Sequence, residues 1–389
     1  MRQIAVIFAT LILVACGNVP TIKQTSTTVN DSLITVVFND TTPLHFRITE
    51  KGEAVLTWDS RNKEPYSPNR YQYKGRLIIP NKIDVNGISY NVTSIDDYAL
   101  LQQRALSELI IQEGITHIGR KALSGCDKLT KLVLPNTLKS IEEEAFSRCK
   151  RISSIELPDR IEYIGKYAFQ GCALLESIAI PNSIKKIEEG TFFNCQSLTA
   201  VELPRTLESI ASLAFSNCTA LQYIEIPESI TQLEAGILSL CTSLQKAKLP
   251  DCLNEIPEDM FGGCTALKSI SLPASTKKIG SFAFSKCTGL ENVQFNNSLE
   301  IIGMAAFNGC VSLKEIELPT SIRKVESFAF ANCVAIKELH IKHTKPFEIG
   351  ADLALPDINS KIYVPRGTID QFQFKPIWKE YKLLEELHR

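Results

Sequence analysis

Ten of the twelve cysteines in this chain stand on one spacing of 23 residues: Cys126, Cys149, Cys172, Cys195, Cys218, Cys241, Cys264, Cys287, Cys310 and Cys333. Thiols in this number could form disulfides, hold a soft metal or fill a core, and the spacing separates the three. A fixed period of this length marks stacked coils, so equivalent residues lie one above the next. Neighbouring strands are about 4.8 Å apart, within the Cα range of a disulfide. Side chains that point in parallel nevertheless keep their Cβ atoms further apart than the preferred ~3.8 Å. A straight column also cannot converge tetrahedrally on one zinc ion. The remaining reading is a ladder of buried free thiols that act as small apolar fillers, with no metal and no cofactor. Cys252 misses the spacing and takes a place otherwise filled by Ser229, Ser275 and Ser298, so it is expected to be more exposed and more reactive than the column.

Other chemistry is sparse. His340-x-x-His343 is the one close pair among five histidines, and no Glu or Cys stands at a recognised ligand spacing from it. A structural or solvated pair is expected. There is no Gly-x-Ser-x-Gly nucleophile turn and no phosphate-cradling loop, so the chain reads as non-enzymatic. A net charge of −1 argues against a nucleic-acid binder, and 44% hydrophobic residues are ordinary for a folded protein.

The elements that place the thiols follow from what travels with each one. Three residues before it stands Phe (Phe146, Phe169, Phe192, Phe215, Phe261, Phe284, Phe307, Phe330), with Leu123 and Leu238 as substitutes. Eight before it stands an aliphatic such as Ile141 or Ile210, three after it Leu or Ile, and at nine after it usually Pro. Val201 and Leu203 alternate at period two and read as one face of a short strand, which Pro204 ends because it cannot donate to a ladder. Leu207 and Ile210 turn the chain back along the core. Ala214, Phe215 and Cys218 have helix-like spacing and suggest a helical or irregular turn on the opposite wall. One period before Cys126 lies an N-terminal coil (Ile95, Ala99, Leu100, Leu106, Leu109, Ile111) with Gln103 in the cysteine place. Asn296 for Pro, Thr276 for an aliphatic and Ala247 for a larger residue predict looser packing in their coils.

Strand residues five and seven after each Cys face away from the core. The candidate protein-binding face lies there: Glu156, Glu202, Tyr223, Glu225, Lys246, Lys248 and Glu317. An acidic stretch running into a basic one suits a protein partner. Few aromatics on these rows argue against a carbohydrate-stacking groove.

The ends differ from the middle. Residues 1–15 read as a signal peptide: Met1-Arg2, then an apolar run from Ile4 to Val14 that is too short to span a bilayer. Residues 16–30, polar and Thr-rich, read as a tether. Residues 31–92 read as a β-rich cap with a hairpin at Asn86-Gly87 and a loop over Glu64–Tyr73. Residues 93–341 carry about eleven coils, and 342–389 an α/β cap. In that cap Ile362–Pro365 reads as a strand, Thr368 as the N-cap of a helix over Ile369–Phe374, and Pro376 as the start of a last helix. That last helix turns Trp378, Tyr381, Leu384 and Leu387 towards the stack, with Trp378 as a plug.

Two resemblances add to this. Leu13-Val14-Ala15-Cys16 resembles the bacterial lipobox, which implies cleavage before Cys16 and acylation of that residue, enough for stable membrane anchoring. The pattern Leu-x-x-Ile-x-Ile-Pro-x-x-Ile-x-x-Ile-x-x-x-Ala-Phe-x-x-Cys, present at Leu175–Cys195 with Thr191 for Ala, resembles the BspA-type leucine-rich repeats over about residues 75–345. That resemblance implies a right-handed leucine-rich-repeat solenoid in an exported bacterial protein of the cell surface or outer membrane. By the same resemblance its partners would be host matrix or plasma proteins, other bacteria or a glycan. A periplasm-facing scaffold or glycan-binding module of the cell envelope is the alternative. Gly17–Lys23 lacks the acidic residues that often follow the lipidated Cys in outward-facing members, which leaves the leaflet open.

Overall fold

The computed structural model describes residues 22–30, 33–39, 42–59, 72–350 and 361–385. The signal peptide, Cys16, most of the expected loop at 64–73 and Leu387 lie outside them.

The chain is a β-solenoid of about 12 turns, ~23 residues per turn, with little helix. Each coil has three walls. The first is the strand expected from period-two alternation, such as Ser177–Ala179 paired in parallel with Ala200–Glu202, or Tyr223–Glu225 with Lys246–Lys248. Its central residue, for example Ile178 or Ile224, points into the core and its flanking residues point out. The Pro that follows opens a turn, its carbonyl accepting the N–H three residues on, as in Ile184 to Pro181.

The second wall is a ladder the sequence reading did not separate. Where the chain was expected only to turn back, two-residue strands pair coil to coil: Lys186–Ile187 with Ser209–Ile210, and that with Gln232–Leu233. Ile187 and Ile210 are buried and Leu233 partly so. Two residues give no visible alternation, which is why the pattern hid them.

The third wall carries the thiols, and its local structure is turn rather than helix. In each of its turns the residue five before the Cys and the residue one before it are left-handed: Tyr167 and Gly171, Leu213 and Asn217, Asp259 and Gly263 are three such pairs. Left-handed backbone costs a non-glycine residue roughly 1–2 kcal/mol. Here it aims alternate N–H groups at the next coil. Tyr167 donates to Glu189 O, Phe169 to Thr191 O and Gly171 to Phe193 O at 2.8–2.9 Å. The turns thereby gain a ladder of their own and need no helix.

Between the walls, Phe146, Phe169, Phe192 and Phe215 stack, and so do Phe261, Phe284, Phe307 and Phe330. Phe192 and Phe215, for example, have centroids 5.5 Å apart and planes 4° apart. Leu238 interrupts the column and is itself fully buried. Two of the three lapses in the repeat, Thr276 and Asn296, are compensated by hydrogen bonds, and Ala247 is only partly buried. Buried Thr276 donates through Oγ1 to Leu253 O at 2.8 Å. Asn296 Nδ2 donates to the carbonyls of Pro273 and Thr276.

The N-terminal elements are β1 (Gln24–Asn30), β2 (Leu33–Phe38), β3 (Thr42–Ile48), β4 (Ala54–Thr57), β5 (Gly75–Ile79), β6 (Lys82–Val85), β7 (Ile88–Ile95) and β8 (Leu106–Ile111). β1 to β4 form an antiparallel meander, so a strand occupies part of the stretch read as tether. β6 and β7 make the hairpin, with Asn86 and Gly87 both left-handed as a two-residue turn demands. The meander then merges with the coils. β4 pairs in parallel with β7, which leads the short-strand ladder, and β5 pairs in parallel with β8 on the long-strand wall. Solenoid pairing therefore begins at β5, ahead of the expected boundary. Gln103, buried in the cysteine place, accepts the Tyr73 N–H at 2.8 Å and ties the cap to the first coil.

At the other end Lys361–Val364 continues the long-strand wall beside Glu338–Ile341. A short helix α1 covers Ile369–Gln373; the Thr368 hydroxyl donates to Pro365 O instead of capping it. The expected last helix is a single 3₁₀ turn, Pro376–Glu380, and Leu383–Glu385 adds a parallel strand beside Lys361–Val364. The open sheet edge needed a strand more than the solenoid end needed a helix. Trp378 is fully buried, edge-on to Phe347 and Phe372.

Candidate interaction surface

The seven residues of the candidate face are all exposed. Parallel register sets them in columns: Tyr223 stands beside Lys246, Glu225 beside Lys248, and Glu317 beside His340. At the centre the charges meet each other. Lys248 Nζ lies 2.7 Å from Glu225 Oε1, and the Tyr223 hydroxyl donates to Glu225 Oε2 at 3.2 Å. The Lys248 ammonium holds the Glu225 carboxyl below the usual carboxylate range, and burial together with Glu225 raises the Tyr223 phenol. The acidic-to-basic border is thus internally paired. Glu156, Glu202 and Lys246 make no ion pair among the described residues and stay available to a partner. Glu317 lies 3.9 Å from Lys342.

Further along the same wall lies a groove of about 1180 Å³ that the sequence reading missed. Ser269, Ser271, Asn292 and Gln294 line it together with Glu315, Glu317, Phe295, Pro319 and Pro365. The signal was there in the two outward rows, which turn neutral and hydrogen-bonding at these coils. His340 stands next to it, its ring stacked on Tyr363 at 4.7 Å and its Nε2 3.7 Å from Glu315 and 3.5 Å from Glu338. His343 serves a different purpose, with Nδ1 accepting the Lys345 N–H at 3.0 Å. The two histidines do not converge, and no metal-ligand cluster occurs among the described residues.

The column of ten thiols is fully buried and unbridged. Each Sγ lies within hydrogen-bonding distance of a carbonyl in the preceding coil: Cys195 at 3.2 Å from Phe169 O, Cys218 at 3.3 Å from Phe192 O, Cys287 at 3.0 Å from Phe261 O. A thiol is both a small hydrophobe and a weak donor, and this wall uses both properties. Burial pushes Cys195, Cys241 and Cys287 up to about 12 and Cys149, Cys172, Cys218 and Cys264 well above the ordinary thiol value. These groups are held as neutral thiols, unsuited to nucleophilic work. Cys252 is exposed, its Sγ 3.6 Å from Ile230 O.

No helix among the described residues is long and apolar enough to cross a membrane. A family profile, the BspA type Leucine rich repeat region, matches residues 82–199, 163–288 and 254–352 in six copies. No curated protein matches the chain. Among solved structures, a leucine-rich repeat protein from Bacteroides ovatus is 24% identical with a TM-score of 0.58, over 88% of this chain and 98% of its own. A leucine rich cell surface protein from Faecalibacterium prausnitzii is 21% identical with a TM-score of 0.57, over 90% and 98%.

Proposed function

The chain belongs to the BspA-type leucine-rich repeat family, and from that premise we propose that it is a non-enzymatic, lipid-anchored protein of the bacterial surface or outer membrane. Its long-strand wall would dock a macromolecular partner, a host matrix or plasma protein or a protein of another bacterium. The observation that carries this reading is the wall itself. Parallel register repeats outward positions coil after coil, and those positions hold Glu156, Glu202, Tyr223, Lys246 and Glu317 exposed on a rigid frame. Rigid presentation lowers the ordering cost of binding. Aromatic and charged side chains of mixed sign are what protein interfaces use for anchoring and steering. Cys16 supplies the anchor in this reading, with the solenoid held beside the membrane that carries it.

The test is joint replacement of Glu202, Tyr223 and Glu225 by Ala, with binding of the purified protein measured on immobilised fibronectin and fibrinogen and on whole bacteria. Binding should fall at least tenfold while the circular dichroism spectrum and urea midpoint are retained; unchanged binding discards this face. Protease treatment of intact cells tests the location. Release of solenoid fragments is the expected result, and complete protection would favour a scaffold that faces the periplasm.

A further inference from the structure

A second site lies away from the strand face, on the turn wall. We infer that the cleft over Gly262 and Gly263 receives a cationic side chain, an arginine of a protein partner, against the Asp259 carboxylate. The cleft measures about 420 Å³ and is lined by Leu240, Asp259, Phe282 and Lys286 among others. Its origin is local. The two positions before the Cys read Ser239-Leu240 in one coil and Ser285-Lys286 two coils on, but Gly262-Gly263 in the coil between. Two side chains are therefore missing side by side; the Asp259 carboxylate leans into the place left at Gly262 and the Leu240 side chain into that at Gly263, over a floor of buried backbone. Leu240, half exposed, and Phe282 stand as apolar walls one coil to either side.

The polar content points to a cation. Asp259 is half-buried, and among the described residues its carboxylate has no ion pair and no side-chain hydrogen bond. At the equivalent position two other coils place Glu144, which Lys121 answers at 3.2 Å, and Gly236, which carries no charge. Glu258 adds a second carboxylate at the rim, and Lys286, the one cation of the lining, pairs with neither. Burial and the neighbouring Glu258 raise the Asp259 carboxyl above its usual range, the condition of an anion awaiting a counter-charge. Guanidinium fits better than ammonium. It is planar, weakly hydrated and forked, so it can lie on the Phe282 ring while bonding both oxygens of a carboxylate. An Oδ1 of Asp259 occupies the place a Cβ on Gly262 would take, so only glycine there lets the carboxylate lean over the floor.

The experiment uses the purified protein with leucine methyl groups labelled for NMR, and acetyl-Gly-Arg-Gly-amide with its citrulline analogue as probes. The arginine peptide should shift the Leu240 methyl signals saturably, and the neutral, isosteric citrulline peptide should not. Asp259→Asn should weaken the arginine effect about tenfold or more. Gly262→Ala, which displaces the carboxylate, should do the same with the remaining methyl spectrum unchanged. Equal shifts from both peptides, no saturable shift by the arginine peptide, or undiminished binding in Asp259→Asn would each overturn the assignment. Because the strand face is untouched, failure here leaves the proposed docking wall standing, and the reverse holds too.

Discussion

The turn wall and the long-strand wall share one period and differ in almost everything else. On the turn wall residue identity repeats, with Cys in ten coils and Phe in eight. On the strand wall only the apolar character of the inward position repeats, with Ile178, Ile224, Ile270 and Ile316 buried and Val201, Ala247 and Val293 partly so, while the outward rows change sign and size from coil to coil. The cause lies in how each wall meets its backbone. Strand N–H and C=O groups satisfy one another, so the outward side chains are free of structural duty. Turn carbonyls are left a spare lone pair, and in each coil a thiol from the next one reaches it. A side chain that completes the backbone cannot drift; one that faces water can. Function is expected where drift is allowed, or where the turn wall itself lapses, as at Gly262-Gly263.

Alkaline titration should expose this difference most strongly. Native thiols in the column keep their protons where the unfolded chain loses its own, so their contribution is complete below about pH 8.5 and declines as pH rises towards 12. One pH unit above the unfolded value the loss is about 1.4 kcal/mol for each thiol that burial raises, Cys195, Cys241 and Cys287 among them. The urea midpoint should therefore drop steeply between pH 8 and 9.5, before lysines and tyrosines titrate. A flat midpoint over that interval would show that the column is not held neutral.

A smaller effect separates packing from hydrogen bonding within the column. Cys218→Ala removes a donor to Phe192 O and leaves a small void, a cost of about 1–2 kcal/mol in urea unfolding. Cys218→Ser keeps a donor and should recover part of it. If serine is no better than alanine, the thiol acts by volume alone and the explanation of the repeated Cys fails. On the strand wall Lys248→Ala breaks the ion pair with Glu225 in full solvent, and the urea midpoint should stay where it is. A clear drop would mean that the outward rows carry structure after all.

Much of this was legible from residues alone. The period, the strand before most of the Pro residues (before Pro158 only an isolated bridge at Ser154 forms), the inward Phe and Cys, and the Asn86-Gly87 hairpin all rest on local rules that need no knowledge of the partner coil. The second ladder was not, because Ser209–Ile210 is too short to show alternation and exists only through pairing with Lys186–Ile187. The turns spaced like a helix, Ala214, Phe215 and Cys218, are left-handed at Leu213 and Asn217 because hydrogen bonds to the next coil repay that backbone. Gln103 looked like a missing cysteine and is a docking group for Tyr73. Thr276 and Asn296 looked like weaknesses and are hydrogen-bonded.

The sequence by itself determined that this protein is a stack and which residues fill it, since a period fixes which side chains meet their own copies. Tertiary structure decided what each wall asks of its residues. Whether a carbonyl has a spare lone pair, whether Glu225 is already answered by Lys248, and whether Asp259 is answered by anything depend on the coil next door, 23 residues away in the chain and one strand spacing away in space.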